Sequence, residues 1–226
     1  MCPEYMLPAQ LLGKSDKTLA LLQRCGLLTT SREYKRRRVI VSQGSRAETL
    51  FFLQEGVAKV SIVSNRGKVA VLGVLSSGSL FGQACLTAPA YTSSVEALVT
   101  CSVVPMPKHR LLSAIRDHPE FTEFLLAYFI ERNLRIEEDL LYQLCSSSEW
   151  RLAHILVRMS DIGEDVGGEV VLPGISQETL AQMVGTTRSR VNFFLNKFMR
   201  QGLIHYDRGL HVHHSLAAMA RDHSGL

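Results

Sequence analysis

Apolar and polar residues follow two different periods along this chain. Between residues 39 and 107, short apolar runs alternate with Gly, Ser and Asn, whereas in 119–145 and 177–200 apolar residues recur every three or four positions. Short runs bounded by turn-forming residues are typical of strands, and recurrence every three or four positions is typical of helices. The pattern therefore predicts a strand-rich domain, then a long helix, then a helical C-terminal domain.

The strand-rich region contains a strong hairpin signal. The apolar runs 60–63 and 69–72 flank Asn65-Arg66-Gly67, and a turn of this composition between two apolar runs favours a β-hairpin. Many short strands at this spacing predict a small sandwich or barrel. The other candidate strands are 50–53, 73–75, 94–98 and 101–104, and residues 1–17 are predicted to form a loosely held tail.

A long helix is predicted from Pro119, because no Gly or Pro follows before residues 146–148, a serine cluster that we interpret as a hinge and helix cap. One stripe of this helix has the alternating four- and three-residue spacing of a two-stranded coiled coil. We interpret it as the seam of a dimer, although burial within one subunit is the alternative. The predicted seam is Phe129, Asn133, Ile136, Leu140 and Gln143, and the neighbouring stripe Leu126, Ile130, Leu134 and Leu141 is predicted to pack on the strands.

Residues 175–204 describe two short helices joined by a tight turn, which is the layout of a helix-turn-helix. Ser176 is the predicted N-cap of the first helix, Gly185 lies where the chain must turn sharply, and Thr186 or Thr187 can cap the second helix. Apolar spacing predicts the buried faces. These are Leu180, Ala181 and Val184 in the first helix and Val191, Phe194, Leu195 and Phe198 in the second.

The other face of the second helix is polar and basic. Between Thr186 and Arg200 there are four basic residues and no acid. Arg and Asn are the residue types that make paired hydrogen bonds to guanine and adenine, so this face predicts a recognition helix for DNA. An ordinary helical hairpin with a solvated basic face is the alternative. The predicted base contacts are Arg188, Ser189, Arg190 and Asn192, and the predicted phosphate contacts are Ser176, Gln177, Thr187, Lys197 and Arg208.

Residues 203–213 read as two short strands around Asp207-Arg208-Gly209. A hairpin directly after a recognition helix is the wing of a winged helix. Arg208 at its tip is predicted to meet a phosphate, a contact that positions a protein on DNA without reading its sequence.

Bulk composition narrows the class of protein. The 226 residues leave room for two modest domains, and a net charge of +4 is compatible with nucleic acid without requiring it. No run approaches the roughly 20 apolar residues of a membrane span, and no charged-then-apolar leader opens the chain, so a cytoplasmic protein without a membrane partner is expected. Five cysteines at positions 2, 25, 85, 101 and 145 form no close pair, which favours free thiols over a disulfide framework or a cysteine metal site.

The strongest hint of another class of function is a group of histidines near the C-terminus. His211 and His213 fall on one face of the second wing strand, and His205 lies on the first. Without a nearby carboxylate or cysteine as a partner, we interpret them as solvated histidines and expect no metal site. The chain also has no Gly-rich phosphate loop and none of the familiar hydrolase motifs, so we expect neither catalytic residues nor an enzyme.

The order of these elements resembles the Crp/Fnr superfamily of bacterial transcription regulators over about residues 20–220. The segments 44–56 and 78–82, with their spaced Gly residues, and the helix-turn-helix carry the resemblance. It implies an α+β fold: a double-stranded, jelly-roll-like β-roll over 18–118, a dimerisation helix over 119–145 and a winged helix-turn-helix over 146–226. It further implies a homodimer on a palindromic operator, with one recognition helix in each of two successive major grooves, and RNA polymerase as a partner.

The same resemblance points to an effector pocket and to departures within it. Cyclic-AMP-binding members hold the ribose with a Gly-Glu pair and the cyclic phosphate with an Arg-Ser pair; here those places hold Gly82-Gln83 and Tyr91-Thr92. The Thr-Ser pair of the dimer helix that contacts adenine falls at Ile136-Glu137. Without the Arg, no guanidinium fork neutralises a phosphate. Cyclic AMP is therefore not expected, no cofactor is assigned, and another small-molecule effector or none remains open.

Two alternatives stay open at this stage. One is a cyclic-nucleotide-responsive regulator with a non-standard pocket, and the other is a ligand-sensing module that acts on a protein partner. DNA specificity should also differ from that of the well-known branches, whose recognition helices use a Glu and a later Arg where this chain has Ser189 and Phe193.

Overall fold

The computed structural model describes residues 15–172, 174–207 and 209–222. Its chain divides into two compact units. The first runs up to Ala58 and includes Leu75–Asn133, and the second comprises Lys59–Val74 and the chain from Leu134 onward. The predicted α+β class, with antiparallel sheets, then a long helix and a C-terminal helix-turn-helix, is confirmed.

The described elements are seven α-helices, one 3₁₀ helix over Gln83–Leu86 and twelve strands. The helices are α1 Ser15–Arg24, α2 Lys108–Asp117, α3 Pro119–Cys145, α4 Ser148–Ser160, α5 Gln177–Val184, α6 Arg188–Arg200 and α7 Ser215–Asp222. The strands are β1 Arg32–Tyr34, β2 Val39–Val41, β3 Thr49–Glu55, β4 Ala58–Val63, β5 Val69–Leu75, β6 Leu80–Phe81, β7 Ser94–Ala97, β8 Cys101–Pro107, β9 Glu164–Val166, β10 Glu169–Leu172, β11 Ile204–Tyr206 and β12 Leu210–His213.

The first unit is built around a sheet with the order β1-β8-β3-β6. Its central strands β3 and β8 are antiparallel, with Leu50 opposite Met106 and Phe52 opposite Val104, and all four side chains are buried. In a second antiparallel pair, β2 lies beside β7. The run 50–53 is apolar at every position and is buried at every position, which is why it has no alternating pattern.

The start of α3 is fixed to this sheet. Phe121, Leu125 and Tyr128 lie four and three residues apart and are buried. The Tyr128 hydroxyl accepts a hydrogen bond from the Leu80 N–H at 2.7 Å and lies 3.2 Å from the Leu80 carbonyl, to which it can donate. The Arg132 guanidinium donates to the same carbonyl at 2.9 Å. This contact anchors the helix against the short strand β6.

The predicted hairpin is confirmed, with β4 and β5 as neighbouring strands. The Ser64 N–H donates to the Lys68 carbonyl, and Gly67 takes a φ of 75° at the turn, a conformation that favours glycine. The candidates 69–72 and 73–75 form one continuous strand, β5. The helix α1 begins at Ser15, inside the segment 1–17 predicted as a tail, and residues 1–14 lie outside the described part of the chain.

The second unit contains a four-stranded antiparallel sheet with the order β11-β12-β10-β9. The hairpin of β9 and β10 was not predicted. It turns through Gly167 and Gly168, whose φ angles of 65° and 96° are both positive, as a two-residue hairpin turn of the mirror-image type requires. The inward faces of this sheet share one core with α4, α5, α6 and α7. Its central members include Leu152, Leu156, Val170, Leu172, Leu180, Leu195, Phe198, Ile204, Val212 and Leu216.

The interpretation of the serine cluster as a helix cap is confirmed, because the Ser147 hydroxyl accepts a hydrogen bond from the Trp150 N–H at the start of α4. The prediction that a second stripe of α3 packs on the strands is wrong. Each helix residue is rotated by about 100° from the one before it, so Leu126 faces away from the stripe that contains Leu125. Leu126, Ile130, Leu134 and Leu141 are all exposed. Among the described residues, no helix is long and apolar enough to cross a membrane.

Candidate nucleic-acid interface and effector site

Both helices of the helix-turn-helix start at side-chain caps, as predicted. The Ser176 hydroxyl accepts a hydrogen bond from the Thr179 N–H at 3.1 Å, and the Thr187 hydroxyl accepts one from the Arg190 N–H at 3.3 Å. Between the helices, Gly185 ends α5 with a φ of 72° in the left-handed region. These three residues set the angle at which α6 leaves the turn.

One face of α6 is locked into the core of the second unit, and this confirms its predicted buried residues. Val191, Phe194, Leu195 and Phe198 are buried together with Leu180, Ala181 and Val184 of α5. This core also contains residues of α4, α7 and the sheet, so α6 cannot turn about its axis. Packing of the apolar face therefore fixes which way the opposite, polar face points.

The opposite face of α6 presents the predicted base-reading side chains to solvent. Arg188, Ser189, Arg190 and Asn192 are all exposed, and Phe193 beside them is 64% exposed. The Arg190 guanidinium lies 5.9 Å from the centre of the Phe194 ring, a cation–π distance that limits where this side chain points. The structure thus brings the four predicted base contacts together on the first two turns of α6.

The predicted phosphate contacts differ in what they already bind. The hydroxyls of Ser176 and Thr187 are engaged in the caps, and the Gln177 amide lies 3.4 Å from the Asn192 side-chain oxygen. Lys197 forms an ion pair with Glu149 of α4, with 2.7 Å between Nζ and Oε1. The predicted strands on both sides of the wing turn are confirmed as β11 and β12, while Arg208 lies outside the described residues.

The predicted effector residues of the first unit lie around a tight contact between Gly82 and Tyr91. A Cβ on Gly82 would lie 2.9 Å from the Thr49 carbonyl oxygen and 3.3 Å from the Tyr91 ring. Gly82 has a φ of 83° and is followed by the exposed Gln83 at the start of the 3₁₀ helix. Only glycine fits at this position without displacing its neighbours.

Tyr91 is buried, with its ring 6.4 Å from that of Phe51. Its hydroxyl donates to the Thr49 carbonyl at 2.7 Å and accepts from the Thr49 N–H at 3.1 Å. Burial raises the pKa of Tyr91 above the ordinary value of about 10, so the side chain is neutral at neutral pH. The position that the resemblance assigns to the phosphate-binding Arg therefore holds a neutral side chain whose hydroxyl is already bound, and Thr92 next to it is exposed.

The two remaining effector residues and the predicted dimer seam lie along α3. Ile136 and Glu137 are exposed and belong to the second unit. Of the predicted seam, Phe129 is half-buried in an edge-to-face contact with Tyr128, whereas Asn133, Ile136, Leu140 and Gln143 are exposed. The Gln143 amide donates to the Met183 carbonyl at 2.9 Å.

Two findings concern residue types that carry chemistry elsewhere. The prediction of free thiols is confirmed for the described cysteines, and burial raises the pKa of Cys25, Cys85 and Cys101, which favours the protonated thiol over the thiolate. Cys2 lies outside the described residues.

The premise that no carboxylate lies near the wing histidines is wrong: Glu169 of β10 is 3.5 Å from the His205 ring and 3.6 Å from the His211 ring. The sequence gives no direct signal of this contact, because Glu169 is far away along the chain and its strand was not predicted.

Comparison with known proteins covers most of the chain. Residues 31–118 match the family model of the cyclic nucleotide-binding domain, and residues 150–221 match that of the Crp-like helix-turn-helix domain. A CRP-like cAMP-activated global transcriptional regulator from Mycobacterium tuberculosis is 27% identical over 175 residues, which cover 76% of this chain and 78% of that protein.

Solved structures show the same fold at lower identity. FixK2 from Bradyrhizobium japonicum superposes with a TM-score of 0.77 at 19% identity, covering 86% of this chain and 97% of that one. The c-di-GMP-responsive global regulator CLP from Xanthomonas campestris superposes with a TM-score of 0.70 at 20% identity, covering 86% of this chain and 98% of that one.

Proposed function

This chain belongs to the Crp/Fnr superfamily of transcription regulators, and we propose that it acts as a homodimer that binds a palindromic operator through α6 and recruits or blocks RNA polymerase. The observation that carries the proposal is the exposed face of α6. It combines two arginines and an asparagine in its first two turns with no acidic residue, on a helix whose other face is buried. Such a protein is a regulator rather than an enzyme, and it would act in the cytoplasm.

The dimer is supported by the exposed apolar residues of α3. Ile136, Leu140 and Leu144 are 54%, 55% and 76% exposed, and Leu126 and Ile130 extend the stripe towards the start of the helix. Burying one such side chain contributes about 1.5–3 kcal/mol, so a contiguous stripe favours association with a second copy. A two-fold symmetric pair of α6 helices then matches two operator half-sites about one DNA turn apart.

The effector we propose is not cyclic AMP. The cyclic phosphate carries a negative charge, and the place that the resemblance gives to its Arg partner is filled by the neutral, buried Tyr91. Gln83 can still hydrogen-bond a hydroxyl, but its neutral amide lacks the charge that strengthens such a bond in a carboxylate. The CLP regulator from Xanthomonas campestris is named for its response to c-di-GMP, so this fold accommodates other signals.

A second candidate is a cyclic-nucleotide-responsive regulator with a non-standard pocket. The observation in its favour is that the Mycobacterium tuberculosis relative is named as cAMP-activated. A ligand-sensing module acting on a protein partner is less well supported, since it gives no role to the exposed basic face of α6.

The proposal is tested by selecting bound sequences from random duplex DNA with the purified full-length protein, without nucleotide and with cyclic AMP or cyclic GMP. We expect a palindrome to be enriched without nucleotide. Enrichment only with a cyclic nucleotide would favour the second candidate, and no enrichment under any condition would contradict direct readout by α6.

Variants then separate base reading from backbone binding. Arg188→Ala and Arg190→Ala should each relax the preference at one position of each operator half-site and weaken operator binding by about 1–3 kcal/mol per half-site. Arg208→Ala should instead weaken binding to all duplexes by a similar factor. If the two α6 variants left base preference unchanged, the assignment of this helix would fail.

A further inference from the structure

Three strands of the C-terminal sheet bring two imidazoles and a carboxylate to one face. His205 of β11 lies directly opposite His211 of β12, which in turn lies opposite Val171 of β10. Glu169 precedes Val171 by two residues, so it projects from the same face. The other face of these strands is the buried one, with Val170, Ile204 and Val212 in the core.

The two imidazoles direct the same type of atom towards one carboxylate oxygen. His205 Nδ1 is 3.5 Å and His211 Nδ1 is 3.6 Å from Glu169 Oε2, and the two rings stack with centroids 4.4 Å apart. These distances exceed the usual 2.7–3.2 Å of a hydrogen bond. They are close to the roughly 3.4 Å that separates two ligand atoms of a tetrahedral ion with bonds of about 2.0–2.1 Å.

The far side of the His211 ring supplies the contact that metal-bound histidines commonly make. His211 Nε2 lies 2.9 Å from the Asp207 carbonyl, an acceptor, so this nitrogen carries the proton. In the neutral ring Nδ1 then presents its lone pair to Glu169. A backbone carbonyl that fixes the tautomer in this way orients the ring for a metal ion.

We propose that Glu169, His205 and His211 bind one divalent transition-metal ion of the Zn²⁺ class. Two imidazole nitrogens and one carboxylate oxygen suit Zn²⁺ and its neighbours, whereas Ca²⁺ and Mg²⁺ prefer oxygen ligands. The side chains are 30%, 49% and 15% exposed in that order, so an ion can reach them from solvent. Three protein ligands leave a coordination position for water.

The site would add a further link between three strands of the sheet, on the face opposite the core. His205 and His211 lie in β11 and β12, on the two sides of the wing turn, and Asp207 within that turn accepts the His211 hydrogen bond. Glu169 ties this pair to β10. An ion held there would therefore restrain the wing at its base.

The test uses the full-length protein after removal of metal with a chelator. Zn²⁺ is titrated by calorimetry, Co²⁺ by visible absorption, and thermal unfolding is followed with and without Zn²⁺. We expect one site per chain that is weakened at least tenfold in His205→Ala, His211→Ala and Glu169→Gln, and a rise in Tm with Zn²⁺ that these variants lose. None of these readouts involves DNA, so their failure is distinct from failure of the proposed function.

The matched control is His214→Ala, which removes an exposed histidine next to β12 that faces Asp165 instead. It should bind Zn²⁺ as the wild type does. All three substituted side chains lie on the outer face of the sheet, and circular dichroism of each variant checks that the fold is retained. Equal Zn²⁺ binding by wild type and the three cluster variants would overturn the proposal, as would a sulfur-to-cobalt charge-transfer band, which would place the ion at a cysteine.

Discussion

The Tyr91 hydroxyl binds both backbone polar groups of Thr49, accepting from its N–H at 3.1 Å and donating to its carbonyl at 2.7 Å. Removal of the hydroxyl in Tyr91→Phe leaves both groups of Thr49 without this partner, and Thr49 is itself half-buried. We expect the free energy of unfolding to fall by about 1–3 kcal/mol. Urea denaturation measures this free energy. The control is Tyr206→Phe, at a half-exposed residue of the wing, which should leave the free energy of unfolding almost unchanged.

The raised pKa of Tyr91 also predicts a loss of stability in alkali. Above pH about 10 the unfolded chain releases the tyrosine proton while the folded chain retains it, so stability falls as pH rises through this range. The free energy of unfolding should therefore decline less steeply above pH 10 in Tyr91→Phe than in the wild type. Parallel curves for the two proteins would contradict the burial argument. Cys25 and Cys101, whose pKa is also raised, are present in both proteins and cancel in the difference, whereas the charge of Cys85 itself helps to raise the pKa of Tyr91 and belongs to the effect that is measured.

Gly82 and Gly44 provide a matched pair for the tight contact beside Tyr91. Their φ angles are 83° and 82°, but a Cβ on Gly44 meets nothing within 4 Å whereas one on Gly82 meets the Thr49 carbonyl oxygen at 2.9 Å. Both alanine variants carry the strain of the left-handed region, about 1–3 kcal/mol. In Gly82→Ala, overpacking against the Thr49 carbonyl should lower the free energy of unfolding by about 1–3 kcal/mol more. The difference in stability between the two variants, measured by thermal unfolding, gives the cost of the contact at Gly82. Equal losses of stability would show that the residues around Gly82 move aside without cost.

The ion pair between Lys197 and Glu149 predicts a gain of DNA affinity on loss of an acid. Glu149→Gln releases Lys197 for a phosphate, so binding to operator and scrambled duplexes should rise by a similar factor. Since the proposed dimer carries two copies of Lys197, the slope of log K against log salt should become steeper by about 1.8, that is by about 0.9 for each subunit. Fluorescence anisotropy over a salt series measures both. Glu178→Gln removes the same charge from the first turn of α5 without releasing a lysine, and an equal change of slope in that variant would exclude the role of Lys197.

The exposed stripe of α3 predicts the oligomeric state. The double variant Ile136→Ser, Leu140→Ser removes apolar surface from the middle of the stripe and should shift sedimentation at micromolar concentration from dimer to monomer. Leu112→Ser on α2, at a residue that is 37% exposed, should remain dimeric. A wild-type protein that sediments as a monomer would rule out the proposed dimer at once. The pair Leu126→Ser, Ile130→Ser then shows how far the interface extends towards the start of the helix.

Local signals predicted much of the second unit. The Ser176 cap, the Gly185 turn and the buried face of α6 follow from residues within a few positions of one another, and such short-range rules need no knowledge of the fold. The β9–β10 hairpin was missed although Gly167-Gly168, shortly before the apolar run 170–172, is a usable signal for it. Its strands are only three and four residues long, so their apolar pattern is weak.

Contacts between distant segments were the part that could not be predicted. Leu126 and Leu125 are adjacent and equally apolar, and only the sheet beneath α3 decides that Leu125 is buried. The burial of Tyr91 depends on its bond to Thr49, which lies 42 positions away. The approach of Glu169 to His205 and His211 likewise depends on the pairing of β10 with β12, a strand that lies far away along the chain.

The caps of α5 and α6 have a consequence for genetics. Ser176 and Thr187 use their hydroxyls to hold the helix starts together, and loss of such a cap costs about 0.5–2 kcal/mol. A mutant that loses repression or activation through Ser176→Ala would therefore reflect fraying of a helix, whatever its position relative to DNA. Any phosphate at these helix starts would be bound by main-chain N–H groups, which every residue except proline supplies. A map of operator contacts drawn from mutant phenotypes would then miss the contacts made by main-chain N–H groups. It would also count Ser176 and Thr187 as DNA contacts, although their loss acts through the helix caps.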